Sequence, residues 1–589
     1  MNAALMRHGP RQARRRLGGR ALLVALAVAT APLHAYAQAI ERNLPPQVTH
    51  GSSVIVTPVA PSDTDATPLG ANLTGLVVLG PTDPAKPGAV TGLHLDAAPR
   101  LTASVRRRLA RYLGRPLSHK LIADVEAEIV RDYRAVGFPL VSVSTPEQEV
   151  SSGLLQVRVI EFTLKHKTAT GVHDPSYVTS RVRAQPGQPI DARKLSQDLD
   201  WLNRYPFANT QAAFQPGDHL GETKLVLQTT ASQPVSISAG YATSGSPLTG
   251  FDRYFAGTTF ALPFLHDAYA SYQFTGSNDV LFSQDRPLNG APDPLYLSHS
   301  GRIVIPTLPR QDLEASLSFV QSNEFGDFTA HQTTEELSIG YRSALSNLLS
   351  VLPGEAVVGV EARRETGRTN FADEPVQNGV TDVFQVYAGY SAQENDALGR
   401  SSLDLTVHIS PGGVGASNTD AAFALASQGR SRSAEYAYVS GDLSRYTPLP
   451  RAFGYSASLI GQYAPNPLPL TEQIGLGGPS LVRGYTLDDG VFDSGLVARN
   501  ELRTPTLAVL ANLRRGLADQ LSPFAFVDAG YGKNEYTHAD STPIGAGFGA
   551  DYQFGQYLSA NLTTAWALKH EGLTRSGQFR MESRVALSF

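Results

Sequence analysis

The sequence predicts a membrane-spanning β-barrel that follows two small α+β modules, and three observations support this fold class. From about residue 233 to the end of the chain, apolar and polar residues alternate with a period of two through many short segments. Between about residues 71 and 232, apolar residues at helical spacing are mixed with short strand-like runs. A basic and then apolar segment comes first, as in proteins that leave the cytoplasm.

The first segment, residues 1–37, is predicted to be a signal peptide. Several arginines precede a short apolar run at Ala21 to Thr30, and Ala35-Tyr36-Ala37 fits a cleavage site. An inner-membrane anchor is the less favoured alternative, because the apolar run falls short of the roughly 20 residues that a spanning helix needs. No later segment reaches that length. If the mature chain enters a membrane, it must do so as a closed barrel, since lipid leaves open backbone groups unsatisfied.

Residues 38–70 are predicted to form a linker. The stretch from Thr57 to Pro68 is rich in Pro, Ser, Thr and Asp and has no apolar period. No convincing amphipathic helix is found in this part of the sequence.

Two α+β modules are predicted next, at residues 71–163 and 164–232. The first has the order strand, helix, helix, strand, strand, and its second helix starts after Ser118, a suitable N-cap. The second module repeats this order more faintly, with its main helix between Asp191 and Asn203. Units of this size are small but can fold.

Residues 233–589 are predicted to form the barrel. Leu403, Leu405, Val407 and Ile409 alternate with polar residues, and the last strand places Val585, Leu587 and Phe589 on one face. Sixteen strands of about 10 residues, joined by short turns and long loops, fit this length. A soluble β-sandwich or propeller is less favoured, because the alternating run is long, has no repeat period and ends flush with the chain.

Composition and motifs argue against several classes of function. A net charge of −4 gives no basic surface for a nucleic-acid partner. The chain has no cysteine, which excludes disulfides and thiol chemistry, and it has no H-E-x-x-H or G-x-S-x-G motif. The glycines from Gly545 to Gly549 form no phosphate-binding loop and instead predict a bend or a close backbone approach in a strand. We therefore expect no enzyme activity, no catalytic residues, no cofactor and no metal.

Two short motifs lie within the predicted barrel. The first is Val482-Arg483-Gly484-Tyr485, and the second is Phe526-Val527-Asp528-Ala529-Gly530. On a period of two, Phe526, Asp528 and Gly530 share one face, and the other face is uniformly apolar and should meet lipid. Asp528 should therefore face the lumen, where its charge needs a partner.

These motifs resemble the VRGY/F and FxDxG motifs of the BamA-like superfamily. Two POTRA-like modules, a sixteen-stranded barrel and a terminal phenylalanine, Phe589, narrow the resemblance to the TpsB transporters of two-partner secretion, the FhaC, ShlB and HecB type. It covers about residues 72 to 589. The resemblance implies a loop folded back into the barrel, an ion pair between Arg483 and Asp528 inside it, and Phe589 as the barrel assembly signal. Relatives often have a Gln-rich plug helix after the signal peptide. Residues 38–70 show no convincing amphipathic helix, so the candidates for closing the pore are the Arg483 loop alone or another element that the sequence does not reveal.

The resemblance also implies a function. The chain is expected to be a bacterial outer-membrane pore, with its N-terminal modules in the periplasm, that recognises and exports a large partner protein without ATP. This is the haemolysin or adhesin type of secretion and activation. The expected partners are an unfolded exoprotein bound by the periplasmic modules, outer-membrane lipid and the barrel assembly machinery. The alternative is an assembly factor (insertase) of the same superfamily, which usually has more POTRA modules than the two for which this chain has room.

Overall fold

A computed structural model describes residues 63–85, 88–282, 293–325, 328–349, 352–371, 374–510 and 518–589 of the chain. The predicted signal peptide and most of the predicted linker lie outside the described residues. Among the residues that the structure describes, no helix is both long enough and apolar enough to cross a membrane.

The first module is a four-stranded sheet covered by two helices. Its elements are β1 (Gly75–Leu79), β2 (Gly92–His94), α1 (Ala103–Ala110), α2 (His119–Ala135), β3 (Val141–Ser144) and β4 (Leu154–Glu161). The strand order is β2-β1-β4-β3, with β1 parallel to β2 and β4 and with β3 antiparallel to β4. Helix α2 begins where the sequence predicts, because the Ser118 hydroxyl accepts a hydrogen bond from the Leu121 N–H at 3.1 Å.

The second module is smaller. It consists of β5 (Thr163–Thr170), α3 (Pro175–Ser180), α4 (Ala192–Leu202), β6 (Ala208–Pro216) and β7 (Glu222–Ala231). The sheet has the order β5-β7-β6, and Asp191 caps α4. In both modules the inner helix face packs on the sheet to form a separate apolar core.

Sixteen antiparallel strands then close into a barrel, as the sequence predicts. They are β8 (Val235–Ala242), β9 (Arg253–Ala261), β10 (Tyr269–Gly276), β11 (Tyr296–Pro306), β12 (Gln311–Glu324), β13 (Phe328–Ala344), β14 (Glu355–Phe371), β15 (Glu374–Asp396), β16 (Gly399–Pro411), β17 (Glu435–Pro448), β18 (Gly454–Tyr463), β21 (Ser494–Arg503), β22 (Asp519–Lys533), β24 (Ile544–Phe554), β25 (Leu558–Ala567) and β26 (Phe579–Ser588). Three two-residue strands lie in loops: β19 (Ile474–Gly475), β20 (Val491–Phe492) and β23 (Asp540–Ser541).

The ring closes between the last strand and the first. Strand β26 pairs with β8, and Phe589 extends this pairing, because its N–H and carbonyl both bond to the backbone of Ile237 at 2.8 and 2.9 Å. The terminal residue thus contributes to the closing ladder, and its own side chain stays exposed on the outer face.

The outer wall is apolar and the inner wall is polar. The predicted apolar set of β16 points outward, with Leu405, Val407 and Ile409 all exposed on the barrel surface. In β22, Val527 is 52% exposed and its neighbour Asp528 is 0% exposed. This alternation matches a barrel with lipid outside and a polar lumen.

The second module docks on the strand ends and turns at one end of the barrel. The Arg204 guanidinium donates to Asp312 at 3.1 Å and to Glu355 at 2.6 Å, and it lies 3.6 Å from the centre of the Trp201 ring. Arg310 donates to Asp198 of α4 at 3.1 Å. We call this end of the barrel the module side and the opposite end the far side.

Candidate functional site

A long loop between β18 and β21 occupies the barrel lumen. This segment, residues 464–493, is called the in-lumen loop, and it starts and ends at the far side. It has little regular structure beyond the short β19–β20 pairing and two single 3₁₀ turns, at Leu470–Glu472 and Leu487–Asp489. Its apolar side chains Leu476, Val482 and Tyr485 are buried against Val497 and Ala567 of the wall.

The tip of the loop is held by Arg483. Its Nε and one terminal nitrogen donate to the two carboxylate oxygens of Asp528 at 2.7 and 2.9 Å, and its backbone N–H adds a third bond at 3.2 Å. The remaining terminal nitrogen donates to Glu501 of β21 at 2.9 Å. Asp528 is fully buried and Arg483 is 4% exposed. A buried pair with this many charge-assisted bonds restricts the position of the tip strongly.

All three inward residues of the strand motif contact the tip. The Phe526 ring lies under the guanidinium, with Arg483 Cζ 3.5 Å from the ring centre, which is a cation–π contact. Asp528 supplies the carboxylate. A side chain at Gly530 would come within 3.1 Å of the Val482 methyl, so glycine leaves room for the tip. The spacing of the strand motif thus corresponds to three consecutive inward positions on β22.

The rest of the loop motif fixes the tip to the neighbouring wall. The Tyr485 hydroxyl accepts hydrogen bonds from the N–H groups of Ile544 and Lys569 at 3.2 Å and has the carbonyls of the same two residues within 3.1 Å. Gly484 has φ +98° and lies against the backbone of β25. A Cβ at Gly545 would overlap the Arg483 carbonyl, so the close backbone approach predicted for this glycine run is confirmed.

Below the tip, toward the module side, the lumen contains a polar cavity of about 460 Å³. Arg400, Arg483 and Arg499 line it together with Glu501. Serines from four neighbouring wall positions complete the lining: Ser402, Ser444, Ser456 and Ser458. With Arg445, the lining holds four arginines and one carboxylate, so the cavity is basic and rich in hydrogen-bonding groups.

Several residues of this site were missed from the sequence. Glu501 and Arg499 are inward residues of β21, and Arg499 donates to the carbonyl of Ser480 at 2.8 Å. Their i, i+2 spacing in a strand was the available signal. Asp489 and Asp493 bind backbone N–H groups of other far-side loops, and no periodicity marks them. Within the described ranges, no group of three or more His, Cys, Asp or Glu side chains could hold a metal ion.

Two family models match the chain. The haemolysin secretion/activation protein family ShlB/FhaC/HecB matches residues 356–552, and the ShlB-type POTRA domain matches residues 89–161. With these matches, the chain is similar to the TpsB transporters of two-partner secretion. It is therefore an outer-membrane pore of the BamA-like superfamily with its N-terminus in the periplasm, so the module side is periplasmic and the far side is extracellular. The family is one of transporters rather than enzymes.

Curated relatives agree with this family over most of the chain. The outer membrane transporter CdiB of Dickeya dadantii strain 3937 is 25% identical over 495 residues, which cover 82% of each chain. CdiB-2 of Burkholderia pseudomallei strain 1026b is 23% identical over 443 residues and 72% of each chain.

Solved structures share the fold. CdiB from Escherichia coli superposes with a TM-score of 0.63 at 17% identity, covering 99% of this chain and 100% of that one. CdiB from Acinetobacter baumannii gives a TM-score of 0.55 at 15% identity over 98% of both chains.

Proposed function

We propose that this transporter exports one large partner protein through the barrel lumen, and that the in-lumen loop controls the passage. The observation that carries the proposal is the fully buried Asp528, which holds the loop tip inside the pore through Arg483. In this proposal Val482, Gly484 and Tyr485 fit the tip to the wall, while Phe526 and Gly530 form its seat. The ion pair keeps the loop in register when the pore is closed and after each export event.

The two modules are proposed to capture the partner as an unfolded chain. We assign the first module to residues 71–163, the second to 164–232 and the barrel to 233–589. Strand β6 lies at the edge of its sheet and has nine residues, so an extended segment could add beside it. The Asn203 side chain already bonds both the N–H and the carbonyl of Thr210. The portion from Ala212 to Pro216 is therefore the proposed docking edge.

Export is proposed to need no ATP and no enzymatic step. The periplasm lacks ATP, and the sequence has no phosphate-binding loop. Folding of the partner outside the cell makes its return unfavourable and so gives the direction. Insertion of the transporter itself is proposed to involve the barrel assembly machinery, which would recognise the strand ending at Phe589, and outer-membrane lipid, which would cover the apolar outer wall.

The test compares the secreted and surface proteins of cells with and without this chain. Loss of one large protein, with other outer-membrane barrels at normal levels, is the expected result and identifies the partner. A general fall in outer-membrane barrels would instead indicate an assembly factor and would overturn the proposal.

A further inference from the structure

A second carboxylate of the in-lumen loop is buried far from the tip. Glu472 ends the 3₁₀ turn Leu470–Glu472 and is 4% exposed. One of its oxygens forms an ion pair with the Arg363 guanidinium of β14. The other accepts hydrogen bonds from the Tyr438 hydroxyl at 2.7 Å and from the Gln385 amide at 3.1 Å. We call this group of contacts the Glu472 anchor.

Three barrel strands contribute to this anchor. Arg363 is 3% exposed and also donates to Glu336 of β13 at 3.1 Å and to the carbonyl of Thr471 at 3.2 Å. Gln385 belongs to β15 and Tyr438 to β17. Arg363 is thus shared between two carboxylates, Glu336 and Glu472, in a buried site, where such networks are strong when complete and costly when one member is lost.

The anchor and the loop tip lie on different parts of the barrel wall. In chain order, the anchor strands β14, β15 and β17 are the seventh, eighth and tenth of the sixteen-strand ring, and β22 and β24, which bind Arg483 and the Tyr485 hydroxyl, are the thirteenth and fourteenth. The two attachments are therefore three to seven strands apart around the ring. The loop passes from one part of the wall to the other between Glu472 and Tyr485, a stretch of 14 residues.

The base of the loop is fixed without the Glu472 anchor. Asp493 accepts hydrogen bonds from the Leu468 N–H at 2.7 Å and the Gln473 amide at 2.8 Å, which joins the two ends of the loop. Contacts with β14, β15 and β17 add nothing to that closure. Their effect is to draw the loop toward strands that lie beyond its flanking strand β18, whose Gln462 amide also donates to the Glu472 carbonyl at 2.7 Å.

We propose that the Glu472 anchor is a second, separate attachment that holds the loop across the lumen and keeps the channel closed. The Arg483 contacts fix the position of the loop tip on β22, and the Glu472 anchor fixes how far the loop extends toward β14. Release at Glu472 lets the loop swing toward the β21–β22 wall while the tip remains docked, which clears a path along β13 to β17. The inference about channel closure stands on the geometry alone, and its extension to export rests on the proposed function.

Conductance of the purified full-length chain in planar bilayers tests the closure. The Glu472→Ala variant is expected to raise the open probability at least tenfold over the wild-type channel. The matched control is Arg364→Ala, which removes an ion pair with Asp382 from the outer face of the same strand, one residue away. Heat-dependent gel mobility verifies that each barrel is folded. A Glu472→Ala channel that conducts like the wild type and the control would overturn the proposal.

A more conservative variant gives a result even if the Glu472→Ala barrel misfolds. Tyr438→Phe removes one hydrogen bond to Glu472 and keeps the ring, so it should raise the open probability in the same direction by a smaller factor. No change in Tyr438→Phe, together with a misfolded Glu472→Ala, would count against the anchor.

Replacing the Glu472 anchor by a covalent cross-link should close the channel again. The chain has no cysteine, so Gln385→Cys with Glu472→Cys creates the only two thiols. This double variant should conduct more than the wild type. A short bifunctional thiosulfonate reagent should then close the channel and stop secretion of the partner, and a reductant should reverse both effects. Continued secretion by the cross-linked protein would overturn the role in export. Failure of the wild-type chain to secrete any partner would instead refute the proposed function and leave the conductance result to judge the anchor.

Discussion

Replacing Asp528 by asparagine should free the loop tip while leaving the barrel folded. Three of the four hydrogen bonds that Arg483 makes to carboxylates end on Asp528, and the fourth ends on Glu501. Loss of one member of a buried ion pair costs about 3–5 kcal/mol. Glu501 remains and asparagine can still accept one bond, so we expect the lower value, about 3 kcal/mol. That figure corresponds to a roughly hundredfold larger population of undocked loop, at about 1.4 kcal/mol for each tenfold change.

The undocked population can be read from thiol labelling. Val482 is fully buried under the docked tip, and Val482→Cys introduces the only thiol of the chain. In this background, Asp528→Asn should raise the rate of reaction with a water-soluble maleimide by about hundredfold, because labelling requires the tip to leave its seat. Asp551→Asn is the matched control, since Asp551 pairs with Arg503 at 2.6 Å on the same wall and does not touch the loop.

Two results would refute this reasoning. The first is an unchanged labelling rate in Asp528→Asn, which would mean that the ion pair does not hold the tip. The second is additivity with Arg483→Met. Two residues that form one pair should show non-additive effects, and a sum within about 0.5 kcal/mol would indicate independent roles.

Three further variants test the same geometry at other points. Phe526→Leu removes the ring under the Arg483 guanidinium, a cation–π contact of about 0.5–2 kcal/mol. The labelling rate of Val482→Cys should therefore rise by a few-fold to about 30-fold. Phe524→Leu should change that rate less, because the Phe524 ring lies 5.8 Å from the guanidinium. Gly545→Ala should displace the tip and increase channel conductance, while Gly367→Ala, which has open space around its Cβ, should not. Arg204→Ala should lower secretion and loosen the second module, measured as faster proteolysis between module and barrel, with the barrel itself still heat-stable.

The barrel could be predicted from the sequence because the constraint on each strand acts on residues that are neighbours in the chain. Each strand must place apolar groups toward lipid and polar groups toward water, so apolar and polar residues alternate along it with a period of two. The same constraint placed Asp528 in the lumen from its apolar neighbours Val527 and Ala529 alone. The short strand β2 was missed, because three residues are too few to display a period.

The loop could be predicted only where it carries a motif. Its contacts are made by single side chains with distant strands, as between Glu472 and Arg363, and no spacing rule relates residues that are 109 positions apart. Helix α5 (Asn278–Phe282) and helix α6 (Asp420–Ala426) in the other loops were missed for a related reason. Helix α6 is a short helix capped by Thr419, and its one buried side chain, Phe423, packs on residues remote in sequence.

The nature of the loop's contacts explains how a closed pore can open without unfolding. The paired backbone of β19 and β20 lies within the loop itself, and neither strand joins the barrel ladder. Besides its apolar contacts with Val497 and Ala567, the loop meets the wall through the Glu472 carboxylate and the Arg483 guanidinium. Such contacts can be exchanged for water or for polar groups of a passing polypeptide, at a cost set by a few buried charges. The barrel ladder is formed by the wall strands alone, so the proposed opening of the lumen needs movement of one segment and no break in that ladder.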